Sequence, residues 1–163
     1  HAILLATTQV EPMGMTQLAG IFGFPLEHSI SPAIHQAAFD HHSLSARYEL
    51  WPTPPERLRD GVEKLRGDSY IGANVTVPHK EEVRAYLDDM DAWARTIGAV
   101  NTIVKDGSRL IGHNTDAYGF IRSLRERGGF DPEGRRVLML GAGGAARAAD
   151  ESRTRPVRAA ERT

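Results

Sequence analysis

The sequence predicts an α/β protein: a three-layer α/β/α domain around a mostly parallel sheet, followed by the start of a second α/β unit. Three observations lead there. Short apolar runs with strand-like alternation are separated by stretches of helical period, the order that builds parallel sheets through right-handed crossovers. The runs VNTIVK and RLIGHN are joined at Asp106 and Gly107 with no room for a crossover, so a hairpin adds one antiparallel strand. Further on, VLML runs straight into a glycine-rich turn and the start of an alanine-rich helix.

In chain order, LAGIFGF reads as the first strand and PAIHQAAFDHH as the first helix, with Ser31 as its N-cap and Pro32 at the first helical position. ARYELW is the second strand. TPPERLRDGVEKLRG is the second helix, capped by Thr53 and closed by Gly67. YIGANVTV is the third strand, because Val75 and Val77 alternate with Asn74 and Thr76, and HKEEVRAYLDDM reads as a third helix. After the hairpin, DAYGFIRSLRERGG is a helix, and RRVLMLGAGGAARAA is strand, glycine turn and helix start.

These elements divide the chain into an N-terminal extension (1–17), an α/β domain (18–116), and a connecting helix with an incomplete nucleotide-binding segment (117–163). HAILLA at the start is too short for a secretory signal and lacks its basic flank, so residues 1–14 read as an upstream extension.

Composition narrows the partners. A length of 163 residues suits one domain with a proper core but not two full-sized ones. A net charge of −1 gives no electrostatic pull towards nucleic acid or an acidic membrane, and neither is expected as a partner. The absence of cysteine excludes disulfides, thiolate metal sites and a cysteine nucleophile. No apolar run approaches the roughly 20 residues of a membrane helix, so a cytoplasmic location is the default expectation. The seven histidines include no H-E-x-x-H or similar ligand spacing, and no metal site is expected. Oligomeric state is open, with a homodimer among the compatible assemblies.

Four groups of residues carry candidate chemistry. HSISP places Ser29 and Ser31 ahead of a helix, where two hydroxyls and free N–H groups suit a carboxylate; read alone, Ser31 is equally a cap. GANVTVPHK puts Asn74 and Thr76 on one strand face and Lys80 just beyond. A lysine at a helix start is a candidate for general acid/base work, and equally an ordinary solvated side chain. Asn101 and Asp116 lie near strand ends, and Asp116 either caps the following helix or stands as a carboxylate partner for Lys80. Gly141, Ala142, Gly143, Gly144 and Ala145 open the G-x-G-x-x-A dinucleotide fingerprint between strand and helix.

HSISP, GANVTVPHK, GAVNT, NTDAYG and GAGGAAR, in this order, resemble the shikimate dehydrogenase family over roughly residues 18–148. The resemblance implies an N-terminal α/β domain that binds shikimate, a Rossmann domain that binds NADP, and an active site between them. It implies that Ser29 and Ser31 bind the substrate carboxylate, and that Asn74, Thr76, Asn101 and Asp116 bind its hydroxyls. Lys80 corresponds to the catalytic lysine, with Asp116 as its partner, and Gly141 to Ala145 correspond to the phosphate loop. The implied reaction is the reversible NADPH-dependent reduction of 3-dehydroshikimate to shikimate, in the route to chorismate and the aromatic amino acids. Alternatives are a quinate-using relative and a non-catalytic fragment that keeps only the shikimate pocket. The sequence departs from the family after the glycine turn, where Arg153, Arg155, Arg158 and Arg162 replace an expected apolar face. A truncation or shifted reading frame near Ala149 is the expected origin of that change, and RRVLML is expected to lack parallel neighbours.

Overall fold

The computed structural model describes residues 16–154. Strands β1 (Gln17–Gly23), β2 (Ala46–Pro52), β3 (Tyr70–Val75), β4 (Asp89–Met90), β5 (Thr102–Asp106) and β6 (Arg109–His113) form one sheet in the order β2-β1-β3-β5-β6-β4. Only β5 runs against the others: β1 is parallel to β2 and β3, β5 is antiparallel to β3 and β6, and β4 is parallel to β6. The hairpin therefore adds one antiparallel strand, as its sequence predicts; the pairing of Asp106 with Arg109 leaves Gly107 and Ser108 as the loop.

Helices α1 (Ser31–His41) and α2 (Leu58–Lys64) follow β1 and β2. Successive side chains of a strand point to opposite faces, and β1 shows it: Ala19 and Ile21 pack with Phe39 of α1, whereas Phe22 packs with Leu58 and Val62 of α2. Helices thus cover both faces, giving the predicted three layers. Helices α3 (Ala92–Ile97), α4 (Asp116–Glu126) and α5 (Gly144–Thr154) meet in a smaller cluster of Ile97, Ala99, Ala117 and Ala148.

The pairing of β1 with β3 is irregular in the strand that carries Asn74. Leu18 lies opposite Tyr70 but Ala19 lies opposite Gly72, so Ile71 is an extra residue in β3. Gly72 takes a φ of 149°, a value that favours glycine. Beyond the extra residue, Asn74 stands beside Ile21 on the α1 face, while Ala73 and Val75 turn into the core beneath α2.

Several local expectations are corrected. Ser31 is the first residue of α1 and not its cap, since Ile30 takes the capping position without a side-chain bond. Thr53 does not cap the second helix: its hydroxyl donates back to the carbonyl of Trp51, and the helix starts through a 3-10 turn at Pro55–Arg57. HKEEVRAYLDDM forms turns and a 3-10 segment, Glu82–Tyr86, and then gives its last residues to β4. Asp116 opens α4 from the first helical position, behind Thr115. Residues 137–140, expected as a strand, form none, and Leu138 and Leu140 are 84% and 88% exposed. The helix after the glycine turn does bury an apolar face, Ala148 and Ala149, and continues past Ala149 to Thr154. Arg155, Arg158, Arg162 and most of the expected N-terminal extension lie outside the described residues. Among the described residues no helix is long and apolar enough to cross a membrane.

Candidate functional site

The chain leaves β1 through α1 to β2 on one side, then returns through α2 to β3 on the other. Those two crossovers cover opposite faces, so a crevice opens beyond the carboxyl ends of β1 and β3, where α/β sheets bind ligands. A pocket of about 410 Å³ lies there. It is lined by every residue that the sequence offers as a substrate contact: Ser29 and Ser31 from the segment after β1, Asn74 and Thr76 from β3 and just beyond, and Lys80, Asn101 and Asp116.

Ser29 and Ser31 stand where the chain enters α1, with the Ser31 N–H at 3.4 Å from the Ser29 hydroxyl. Asn74 is fixed on three sides. Its Oδ1 accepts from the Tyr48 hydroxyl at 2.7 Å, and its Nδ2 donates to Thr102 Oγ1 at 3.2 Å and the Asn101 carbonyl at 3.3 Å. Burial pushes the Tyr48 phenol up, which keeps it protonated as the donor in that pair. Its ring lies flat on the imidazole of His35, with centroids 4.3 Å apart and an interplanar angle of 4°. Thr76 is held by its N–H to the Phe22 carbonyl at 2.8 Å.

At the centre, Lys80 Nζ donates to Asp116 Oδ2 at 2.7 Å. The two side chains are 17% and 32% exposed, so the pair is shielded yet reachable from the pocket. Asn101 Nδ2 donates to the other carboxylate oxygen at 2.8 Å, aligning Asp116 from behind. Against the expectation from sequence, no α-helix begins at Lys80; turns and the 3-10 segment Glu82–Tyr86 follow it. Its position comes instead from neighbouring backbone bonds: Val100 N–H donates to the Lys80 carbonyl at 2.7 Å, and His79 N–H donates to Thr76 O at 2.9 Å. His79, fully buried, ties the same segment to the Thr53 carbonyl through Nε2 at 2.7 Å.

The glycine turn lies on the far side of Lys80 and does not line this pocket. At Gly144 an added Cβ would come within 2.9 Å of Ala99 Cβ and 3.5 Å of Lys80 Cβ, so the start of α5 rests on the lysine stem. Arg147 Nε donates to the Ala142 carbonyl at 2.9 Å, and its Nη2 lies 3.1 Å from Glu81, next to Lys80. Gly143 has open space around it, with nothing within 4 Å of a Cβ built there. Open glycine backbone at the N-terminus of a helix suits a pyrophosphate. Gly141, Ala142, Gly143, Gly144 and Ala145 therefore fit a dinucleotide, which α5 would meet with its positive end.

Sequence reasoning alone misses Tyr48, His35, Thr102 and Thr115. Thr102 faces the site because it stands opposite Asn74 in the β3–β5 register, and Tyr48, on β2, reaches Asn74 across the intervening β1 through its hydroxyl. Thr115 donates its N–H to Asn101 Oδ1 at 3.0 Å and receives Asn101 Nδ2 at 2.8 Å, and its place within the NTD motif is the one signal that points to it.

The sheet and its crevice define an α/β domain with a polar-lined pocket beside a lysine–carboxylate pair, a setting that suits a small, polar, oxygen-rich ligand. Residues 21–103 match the family described as the shikimate dehydrogenase substrate binding domain. The chain belongs to that family. Shikimate dehydrogenase (NADP(+)) of Salinibacter ruber is 54% identical over 133 residues, which are 82% of this chain and 47% of that protein. The crystal structure of shikimate dehydrogenase 1 from Peptoclostridium difficile superposes with a TM-score of 0.80 at 33% identity, covering 85% of this chain and 51% of that one. Shikimate 5-dehydrogenase from Thermus thermophilus, solved in complex with NADP(H) and shikimate, gives a TM-score of 0.77 at 40% identity over 85% of this chain and 52% of the other. The chain spans about half the length of the curated relatives it matches.

Proposed function

We propose that this chain provides the substrate-binding side of an NADP-dependent shikimate dehydrogenase, which interconverts 3-dehydroshikimate and shikimate on the route to chorismate. The observation that carries this reading is the convergence of the candidate polar residues on one pocket, with Lys80 and Asp116 paired at 2.7 Å within it. In this reading the hydroxyls of Ser29 and Ser31, with the first N–H groups of α1, hold the substrate carboxylate. Asn74, Thr76 and Asn101 orient its hydroxyls, and Asp116 accepts from the hydroxyl nearest the reacting carbon.

Gly141 to Ala145 would hold the dinucleotide, which as NADPH would supply the hydride for reduction and as NADP+ would take it up in the reverse direction. As the ketone is reduced, negative charge grows on its oxygen, and the Lys80 ammonium delivers the proton that neutralises it. In the oxidation of shikimate, neutral Lys80 takes that proton back. Asp116 keeps Nζ at one place through both directions, and Asn101 keeps Asp116 there.

Calorimetric titration with shikimate, and NADPH formation from shikimate and NADP on the same sample, test the reading. A chain that binds no shikimate would sink it. A second reading, a shikimate-binding chain without turnover, is favoured by the exposure of Leu138 and Leu140, which have no strand partner among the described residues. Binding without NADPH formation would select it, and faster turnover of quinate would point to a quinate-using relative.

Replacing Ser29 and Ser31 together with alanine is expected to raise the shikimate KM, or Kd, about tenfold or more, with kcat little changed. The carboxylate is bound in ground and transition states alike, so its loss removes uniform binding. Steady-state kinetics check it, and an unchanged KM would remove both serines from the site.

A further inference from the structure

We propose that His35 is a further substrate contact, donating its Nε2–H from the pocket wall to an oxygen of the bound ligand. This rests on the assignment of the pocket to a cyclic polyol carboxylate. His35 is 3% exposed, yet its side chain lines the pocket. It follows Ser31 by four residues on α1, one turn on, and so shares the face of the helix that carries Ser31.

The proton's location follows from the bonds the ring lacks. Among the described residues, only two buried side-chain polar atoms have no partner: Nδ1 of His35 and Nδ1 of His79. His79 shows how this chain handles such a ring. Its Nε2 lies 2.7 Å from the Thr53 carbonyl, which can only accept, so Nε2 carries the hydrogen and Nδ1 is left as a bare lone pair. A sealed lone pair is tolerated better than a sealed N–H, and the same choice at His35 puts its hydrogen on Nε2. There the parallel stops, because among the described residues no acceptor bonds that nitrogen, and His35 lines the pocket.

The ring is also pre-positioned. Tyr48 stacks on one face at 4.3 Å, and Phe39 packs at a tilt with centroids 6.4 Å apart. Burial holds the imidazole below its ordinary range, which leaves it a neutral donor suited to a carboxylate or a hydroxyl. A neutral donor fixed by stacking costs little ordering when the ligand arrives.

The test is shikimate titration by calorimetry on the chain and on His35→Phe, which keeps the stack and removes both nitrogens. His35→Gln serves as a second variant that keeps a donor. Thermal melting establishes that each folds. The expected result is a loss of about tenfold in affinity for His35→Phe with an undiminished Tm, and partial recovery in His35→Gln. Equal affinity of His35→Phe and the unaltered chain would overturn the proposal while leaving the pocket assignment intact. Failure of the unaltered chain to bind shikimate would overturn both.

Discussion

Replacing Lys80 with alanine is expected to lower kcat by about 10²- to 10⁴-fold while shikimate still binds. Nζ is the cation within reach of the Asp116 carboxylate inside the pocket, at 2.7 Å, and its side chain is only 17% exposed, so water replaces it poorly. In the proposed mechanism its removal takes away the proton donor for the growing alkoxide but leaves the serines and the Asn74 network in place. The effect should therefore fall on kcat, with KM nearly unchanged. The measurement is steady-state kinetics, in both directions, on a form of the protein that turns over shikimate. A kcat within about threefold of the parent would reject the acid/base role.

Asn101→Ala is expected to cost roughly 2–4 kcal/mol of stability, and activity with it. The Asn101 carboxamide is built into five bonds, one of them from the Thr115 hydroxyl to Oδ1 at 3.2 Å. Nδ2 donates to Asp116 Oδ1 and to Thr115 Oγ1, each at 2.8 Å, while Oδ1 accepts the Thr115 N–H at 3.0 Å and the Thr102 hydroxyl at 3.1 Å. At 9% exposure, water has little access to the groups that truncation would strand. For a chain of this size the loss corresponds to a fall in Tm of roughly 4–15 °C. Calorimetric melting gives the first number and turnover the second. A Tm unchanged within about 2 °C would show that the network relaxes around the gap, and Asp116 would then be held by Lys80 alone.

Much of the sheet is legible in the sequence because its cues are local. A short apolar run marks β1, alternation marks β3, and Asp-Gly marks the β5–β6 hairpin, whose register needs only neighbouring residues. What fails are elements decided by distant contacts. HKEEVRAYLDDM has the composition of a helix, but burial of His79 and Val83 and pairing of Asp89 and Met90 with β6 hold it in turns and an edge strand. VLML has the composition of a strand, but a strand exists only as part of a ladder, and the described residues supply no partner. The candidate site divides in the same way. Ser29, Ser31, Asn74, Thr76, Lys80, Asn101 and Asp116 sit in short motifs whose order is visible. Tyr48 and His35 reach the site through a stack between a helix and an edge strand, and no spacing in the sequence connects them.

The extra residue at Ile71 has a meaning for how the pocket's chemistry is encoded. A strand assigns its side chains by odd and even count, and the additional residue reverses that count halfway along β3. Without it, Ala73 and Val75 would be presented to the ligand and Asn74 to the oily interior. The polarity of this wall is therefore a matter of parity as much as of residue identity. A deletion of one residue, with no change to the GANVTV motif itself, would turn a hydrophilic surface inside out.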